Sequence, residues 1–113
     1  MAQNDMDVIV YKVLAYLYDC MKQGNNPTND MLSNGSVLFG MIPDRYYTVI
    51  WQEMIKNNLV EGVGISNYDS IEQVVFSNPT ITLQGLEYMK ENTMMQKALK
   101  YLRDIKTALP FIG

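Results

Sequence analysis

The hydrophobic and polar positions of this 113-residue chain predict several helices and one segment of β character. Over residues 5–22, apolar side chains recur every three or four positions, as on one face of an amphipathic helix. The apolar positions of this face are Val10, Val13, Leu14, Leu17 and Met21. Acidic residues near its start and the breakers Gly24–Pro27 after it complete the prediction of a first helix.

The following segment is short and rich in turn-forming residues. The apolar pair Met31–Leu32 predicts a minimal strand, and Ser33 predicts the N-cap of a brief second helix that ends near Phe39. Gly40 then predicts a sharp turn, and Pro43 suits the first turn of a third helix over residues 43–57.

The third helix separates into two faces when its residues are placed at the angular spacing of an α-helix. The apolar face consists of Tyr47, Ile50, Met54 and, at its edge, Trp51. The opposite face is a polar row of Arg45, Gln52 and Lys56, flanked by Thr48 and Val49. We therefore expect the first set to enter the core and the second to face outward.

Residues 59–82 have β character interrupted by turn residues. Apolar and β-branched residues predict strands at 59–63, 71–76 and 80–82, and turn formers predict breaks at 64–69 and 77–79. Together these segments predict a β-hairpin with an extended tip, whose candidate contact residues are Ser66, Asn67 and Tyr68.

Two further helices are predicted after the hairpin. Thr82 is a suitable N-cap for a helix over Leu83–Glu91, in which Gly85 predicts close packing against a neighbour. Thr93 suits the cap of a last helix that ends near Ala108. Its apolar row, Met95, Ala98, Leu102, Ile105 and Leu109, either packs on the first helix of a monomer or forms the seam of a homodimer.

This order of elements predicts one α+β, mainly helical domain over residues 1–113: a winged helix-turn-helix with a β-hairpin wing and two C-terminal helices. The composition, with 48% hydrophobic and 19% charged residues, is that of a globular protein. With no signal peptide or membrane span in the sequence, we expect a cytoplasmic protein without a membrane partner. The single cysteine, Cys20, is expected to be a buried apolar residue.

The residue types give no support to catalysis. The chain has no histidine, which removes the commonest general base and metal ligand, and one cysteine does not make a zinc site. Phosphate-binding loops and dinucleotide fingerprints are also missing from the sequence. We therefore expect a protein that is not an enzyme and that uses neither a cofactor nor a metal.

Several phrases of the sequence resemble known proteins. Leu59–Gly62, directly after an amphipathic helix, and Ile81–Met89 resemble the entry and exit of the wing in winged-helix proteins. With Tyr11–Lys22, Tyr46–Ile55 and Glu91–Ala98, the chain resembles the YjcQ family of small bacterial and prophage proteins over residues 8–103. The resemblance implies a winged-helix fold and a phage or prophage setting, and it supplies no functional residues.

Two functions remain open at this point. A DNA-binding transcriptional regulator would place Arg45, Thr48, Gln52 and Lys56 in the major groove of double-stranded DNA. Further candidates for phosphate contact or a dimer interface are Lys97, Lys100 and Arg103. The alternative is a module that binds a host or phage protein without binding DNA. It is favoured by the acidic first 75 residues, with four basic and nine acidic side chains, and by the absence of Lys and Arg from Gly62 to Met89.

Overall fold

The first helix, α1 (Met6–Gln23), passes through the middle of the protein, which we describe from a computed structural model over residues 5–91. It is followed by α2 (Asn29–Leu32), α3 (Asp44–Lys56), strands β1 (Val60–Tyr68) and β2 (Ile71–Ile81), and α4 (Leu83–Lys90). These residues form an α+β structure in which the two strands pair as an antiparallel hairpin. The predicted last helix, with Lys97, Lys100 and Arg103, lies outside the described residues.

Helix α1 confirms the first helix predicted from the sequence. More of its surface is buried than the single apolar face that the sequence pattern indicated. All residues from Ile9 to Leu17 are buried, and Cys20 is buried as expected. Met21, which the pattern assigned to the apolar face, is instead 46% exposed. Gly24 then ends the helix in the left-handed conformation at φ 72°.

The predictions for residues 31–39 were wrong. Met31 and Leu32 belong to the single turn of α2, whose N-cap Thr28 accepts a hydrogen bond from the Met31 N–H at 3.2 Å. Ser33 does not begin a helix, because its hydroxyl donates back to the Asn29 carbonyl at 2.6 Å. Residues 33–39 form turns, and Gly35 adopts φ 91°, which interrupts any helix there.

Helix α3 confirms the predicted apolar face. Ile50, Trp51 and Met54 are fully buried, and half-buried Tyr47 donates a hydrogen bond to the Leu32 carbonyl at 2.5 Å. Pro43 precedes the helix as its N-cap and therefore does not occupy the first turn. The Trp51 ring also contacts Phe76 of β2 edge-on at 5.2 Å, so α3 supports one face of the hairpin.

The hairpin is longer and more regular than the sequence pattern indicated. Ser66, Asn67 and Tyr68 are strand residues of β1, and the tip is the two-residue turn Asp69–Ser70, both at positive φ. Strand β2 also continues through residues 77–79, where a break was predicted. Those residues form a bulge opposite Gly62, because Glu61 pairs with Thr80 whereas Val63 pairs with Phe76.

The base of the hairpin joins α3 to α4 through a compact junction. The Thr82 hydroxyl accepts a hydrogen bond from the Gly85 N–H at 2.9 Å and donates one to the Asn58 carbonyl at 2.6 Å. The Thr82 N–H donates to the Leu59 carbonyl at 3.1 Å. A Cβ on Gly85 would collide with that same carbonyl and, at 2.7 Å, with the Ile81 side chain. The predictions of a Thr82 N-cap and a closely packed Gly85 are therefore confirmed.

We expect Gly85→Ala to lower the free energy of unfolding by about 2 kcal/mol or more, because the new methyl group meets backbone that cannot move away. Gly64→Ala is the matched control, since its Cβ would lie 3.6 Å from Val75 in ordinary contact. That change should alter stability by less than about 1 kcal/mol. Urea denaturation of both variants measures the difference, and equal stabilities would contradict the described junction.

Candidate functional surfaces

The outer side of α3 carries fewer available polar side chains than the sequence suggested. Arg45 and Lys56 are exposed, and eleven residues of helical rise separate them by about 16 Å. Thr48 is buried, and its hydroxyl donates to the Asp44 carbonyl at 3.1 Å. Gln52 is half-buried and donates its amide to Glu72 of β2 at 3.1 Å. The structure thus divides the predicted row: Arg45 and Lys56 face solvent, and Gln52 is tied to the hairpin.

The two faces of the hairpin differ in character. The inner face packs against the core through Val63, Ile65, Val74 and Phe76. On the outer face, which also holds half-buried Ser66, the large side chains Tyr68, Ile71 and Val75 are 77%, 60% and 47% exposed. By its register Asn67 belongs to the inner face. It is nevertheless exposed, and it pairs with Glu72 near the tip. The predicted wing residues therefore do not form one contact surface.

A groove that the sequence analysis missed lies on another side of the molecule. It has a volume of about 770 Å³ and is formed by the start of α1, one side of α3 with the residues just after it, and helix α4. The described residues that line it are Asp5, Met6, Asp7, Val10, Tyr46, Glu53, Met54, Asn57, Leu59, Gln84, Glu87, Tyr88 and Glu91. We call this feature the acidic groove, because five of these described residues are Asp or Glu and none is Lys or Arg.

The acidic groove is layered from an apolar floor to a charged rim. Val10, Met54 and Leu59 are buried and form the floor. Tyr46 and Tyr88 are half-buried, and the Tyr88 ring stacks on buried Tyr11 with 5.3 Å between the ring centroids. The groove can therefore receive apolar groups at its bottom and positive charge at its edge.

Burial and the nearby acids affect the pKa values of two tyrosines in and beside the acidic groove. Burial raises the pKa of the Tyr46 phenol, and the carboxylates of Asp5 and Asp7 raise this pKa further because they oppose the phenolate charge. Burial likewise raises the pKa of Tyr11, with smaller contributions from Tyr88 and Asp7. The Tyr11 hydroxyl has no hydrogen-bond partner among the described residues.

Two kinds of feature are missing from residues 5–91. None of the helices there combines the length and apolar character needed to cross a bilayer. The same residues contain no group of three or more His, Cys, Asp or Glu side chains placed to hold a metal ion.

The chain matches the protein-family model described as YjcQ protein over residues 11–108. The chain belongs to the YjcQ family. The resemblance seen in the sequence is thereby confirmed, with similar boundaries. No curated protein and no solved structure gives a significant match to the chain.

The YjcQ match covers most of the acidic groove. Helices α3 and α4, which supply Glu53, Glu87 and Glu91, lie entirely within the matched residues. Asp5, the N-cap of α1, and Asp7, in its first turn, precede the matched residues. The sequence signal that could have revealed the groove is weak, because its acids come from three segments that meet only in the folded chain.

We expect the double substitution Asp5→Asn, Asp7→Asn to lower the pKa of Tyr46 part of the way toward its ordinary value near 10. The remaining elevation should persist, because burial is the larger cause. The measurement is a pH titration by NMR with tyrosine labelled at the Cζ carbon. Asp30→Asn, Asp69→Asn is the control of equal charge, and a Tyr46 pKa identical in all three proteins would contradict the arrangement.

Proposed function

We propose that this YjcQ-family protein is a winged-helix domain that acts as a protein-interaction module. The succession of α1, α2, α3, hairpin and α4 supports the winged-helix assignment, as does the packing of Trp51 of α3 against Phe76 of the hairpin. In such a fold α3 would occupy the place of the recognition helix and the hairpin that of the wing. Because one fold hosts many functions, the residues on these two elements must decide the function.

The charge of the hairpin is the observation that carries the proposal. No Lys or Arg occurs from Asn57 to Met89, and the exposed charged side chains of the two strands and their turn are Glu61, Asp69 and Glu72. Phosphate neutralisation by cations supplies most of the affinity of DNA-binding proteins. A wing with three acids and no base would instead repel the DNA backbone.

The outer side of α3 does not make up for the lack of basic side chains in the hairpin. Arg45 and Lys56 are about 16 Å apart, and two phosphate contacts give weak and strongly salt-dependent binding. Gln52, the side chain best suited to read adenine, is held by Glu72. The DNA-binding hypothesis would therefore need cations from Lys97, Lys100 and Arg103, which lie outside the described residues.

The exposed apolar side chains of the hairpin favour a protein partner. Tyr68, Ile71 and Val75 share the outer face of the two strands, next to Gly64 and Ser66. An exposed group of large apolar residues is typical of a surface that another protein covers. Tyrosine in particular is enriched at protein interfaces, since it offers both apolar area and a hydroxyl.

We expect no retention of DNA by the full chain at about 150 mM salt, because the hairpin offers no cation to phosphate. The measurement is fluorescence anisotropy with labelled genomic fragments, repeated at about 50 mM salt. The variant Glu61→Lys, Glu72→Lys, Gln73→Lys is the positive control, and it should gain salt-dependent affinity for DNA. Sequence-selective DNA retention by the unmodified protein that is lost in Arg45→Ala, Lys56→Ala would contradict the proposal.

A further inference from the structure

The acidic groove indicates the chemistry of the partner. We propose that it binds a cationic amphipathic helix of another protein, with apolar side chains on the groove floor and Lys or Arg side chains at the rim. This inference rests on the proposed protein-interaction function and names the partner class for it.

The floor of the groove is suited to apolar side chains. Val10, Met54 and Leu59 come from α1, α3 and the segment before β1, so three parts of the fold converge there. All three are at most 7% exposed, and Met54 is fully buried. Above this closed apolar floor, the half-buried side chains of Met6, Tyr46 and Tyr88 give the apolar surface that a partner's side chains can contact.

The rim provides negative charge on both sides of this floor. Asp5 and Asp7 lie at the start of α1, and Glu53 lies near the end of α3. Glu87 and Glu91 follow one another by one helical turn, a spacing at which like charges destabilise a helix slightly. None of the described lining residues is Lys or Arg, so a cationic partner would relieve repulsion that this part of the protein leaves uncompensated.

The walls of the groove favour a helical partner over an extended one. The lining residues of α1, α3 and α4 are helical, and Leu59 precedes β1, so no residue of either strand is among the described lining. An extended segment would find no sheet edge there for its backbone N–H and C=O groups, whereas a helix satisfies its own. An amphipathic helix in a groove between helices is a recurring mode of recognition.

The Tyr88 wall is held in place before any partner arrives. Its ring stacks on that of Tyr11, with an interplanar angle of 20°, and Tyr11 is 1% exposed in the core. One turn earlier on the same helix, Gln84 accepts a hydrogen bond from Asn58 at 2.5 Å. Binding to a preformed groove costs less conformational entropy than binding to one that must first be ordered.

The test uses the full chain and a fluorescein-labelled peptide of Leu and Lys, arranged to form an amphipathic helix. We expect saturable binding by fluorescence anisotropy and a loss of about tenfold or more in Glu53→Gln, Glu87→Gln, Glu91→Gln. The control Asp30→Asn, Glu61→Gln, Asp69→Asn removes the same charge from exposed sites elsewhere and should change the affinity less than about twofold. Circular dichroism confirms that both variants remain folded.

Four results would overturn the proposal. Equal losses in the two variants would show attraction to net charge alone, and equal binding of a scrambled peptide of the same composition would show that amphipathicity is irrelevant. Tightening of about tenfold or more in Lys97→Gln, Lys100→Gln, Arg103→Gln would show that the chain's own C-terminal residues compete for the groove. If the peptide does not bind and DNA is not retained, the partner chemistry is wrong while the proposed function stands, whereas DNA retention through Arg45 and Lys56 overturns the function itself.

Discussion

The fold depends on the packing of α4 against the backbone of residues 58 and 59, at the base of the hairpin. Asn58 adopts φ 59° after the end of α3, and the Leu59 N–H donates to the Met54 carbonyl at 2.9 Å. The carbonyls of Asn58 and Leu59 both accept hydrogen bonds from Thr82, the first from its hydroxyl and the second from its N–H. Gly85 lies directly against the Leu59 carbonyl, so only a residue without a Cβ fits there. One short stretch of chain therefore fixes α3, both strands and α4 relative to each other, and buried backbone groups are paired as they must be.

Both candidate surfaces follow from this junction. It places the hairpin so that Phe76 on the inner face reaches Trp51 while Tyr68 and Ile71 are exposed near the tip. It also brings the end of α3 beside the start of α4, which places Glu53 and Glu87 around one groove. The same hydrogen bonds thus support an apolar outer face and an acidic groove, on a scaffold whose hairpin has no positive charge to offer DNA.

The sequence predicted those parts of the fold that local patterns determine. The helical spacing in α1 and α3 identified buried residues such as Leu14 and Ile50, and Thr82 was recognisable as a cap because its hydroxyl acts within its own helix turn. The hairpin tip was misplaced because Gly64 and Asn67, common turn residues, lie in a paired strand, where cross-strand partners outweigh local preference. The short α2 was mistaken for a strand because two adjacent apolar residues have no periodicity to read.

The candidate site was less accessible to sequence reasoning, for a physical reason. The Gln52–Glu72 hydrogen bond joins residues twenty positions apart and removes a side chain that the helical wheel alone places among available DNA contacts. Acids of the groove are spread from Asp5 to Glu91, and each of them separately is an ordinary exposed or half-buried carboxylate in a helix or at a helix end. Such a site becomes visible only when tertiary packing brings the three helices together.

Native-state amide hydrogen exchange tests the central role of the junction most directly. If the junction holds α3, the hairpin and α4 together, the N–H groups of Leu59, Thr82 and Gly85 should exchange only through global unfolding, with the same free energy as those of Leu14 and Leu17 in α1. Exchange of the Thr82 and Gly85 amides at a clearly lower free energy, while α1 stays protected, would show that α4 separates from an otherwise intact fold and would contradict the account.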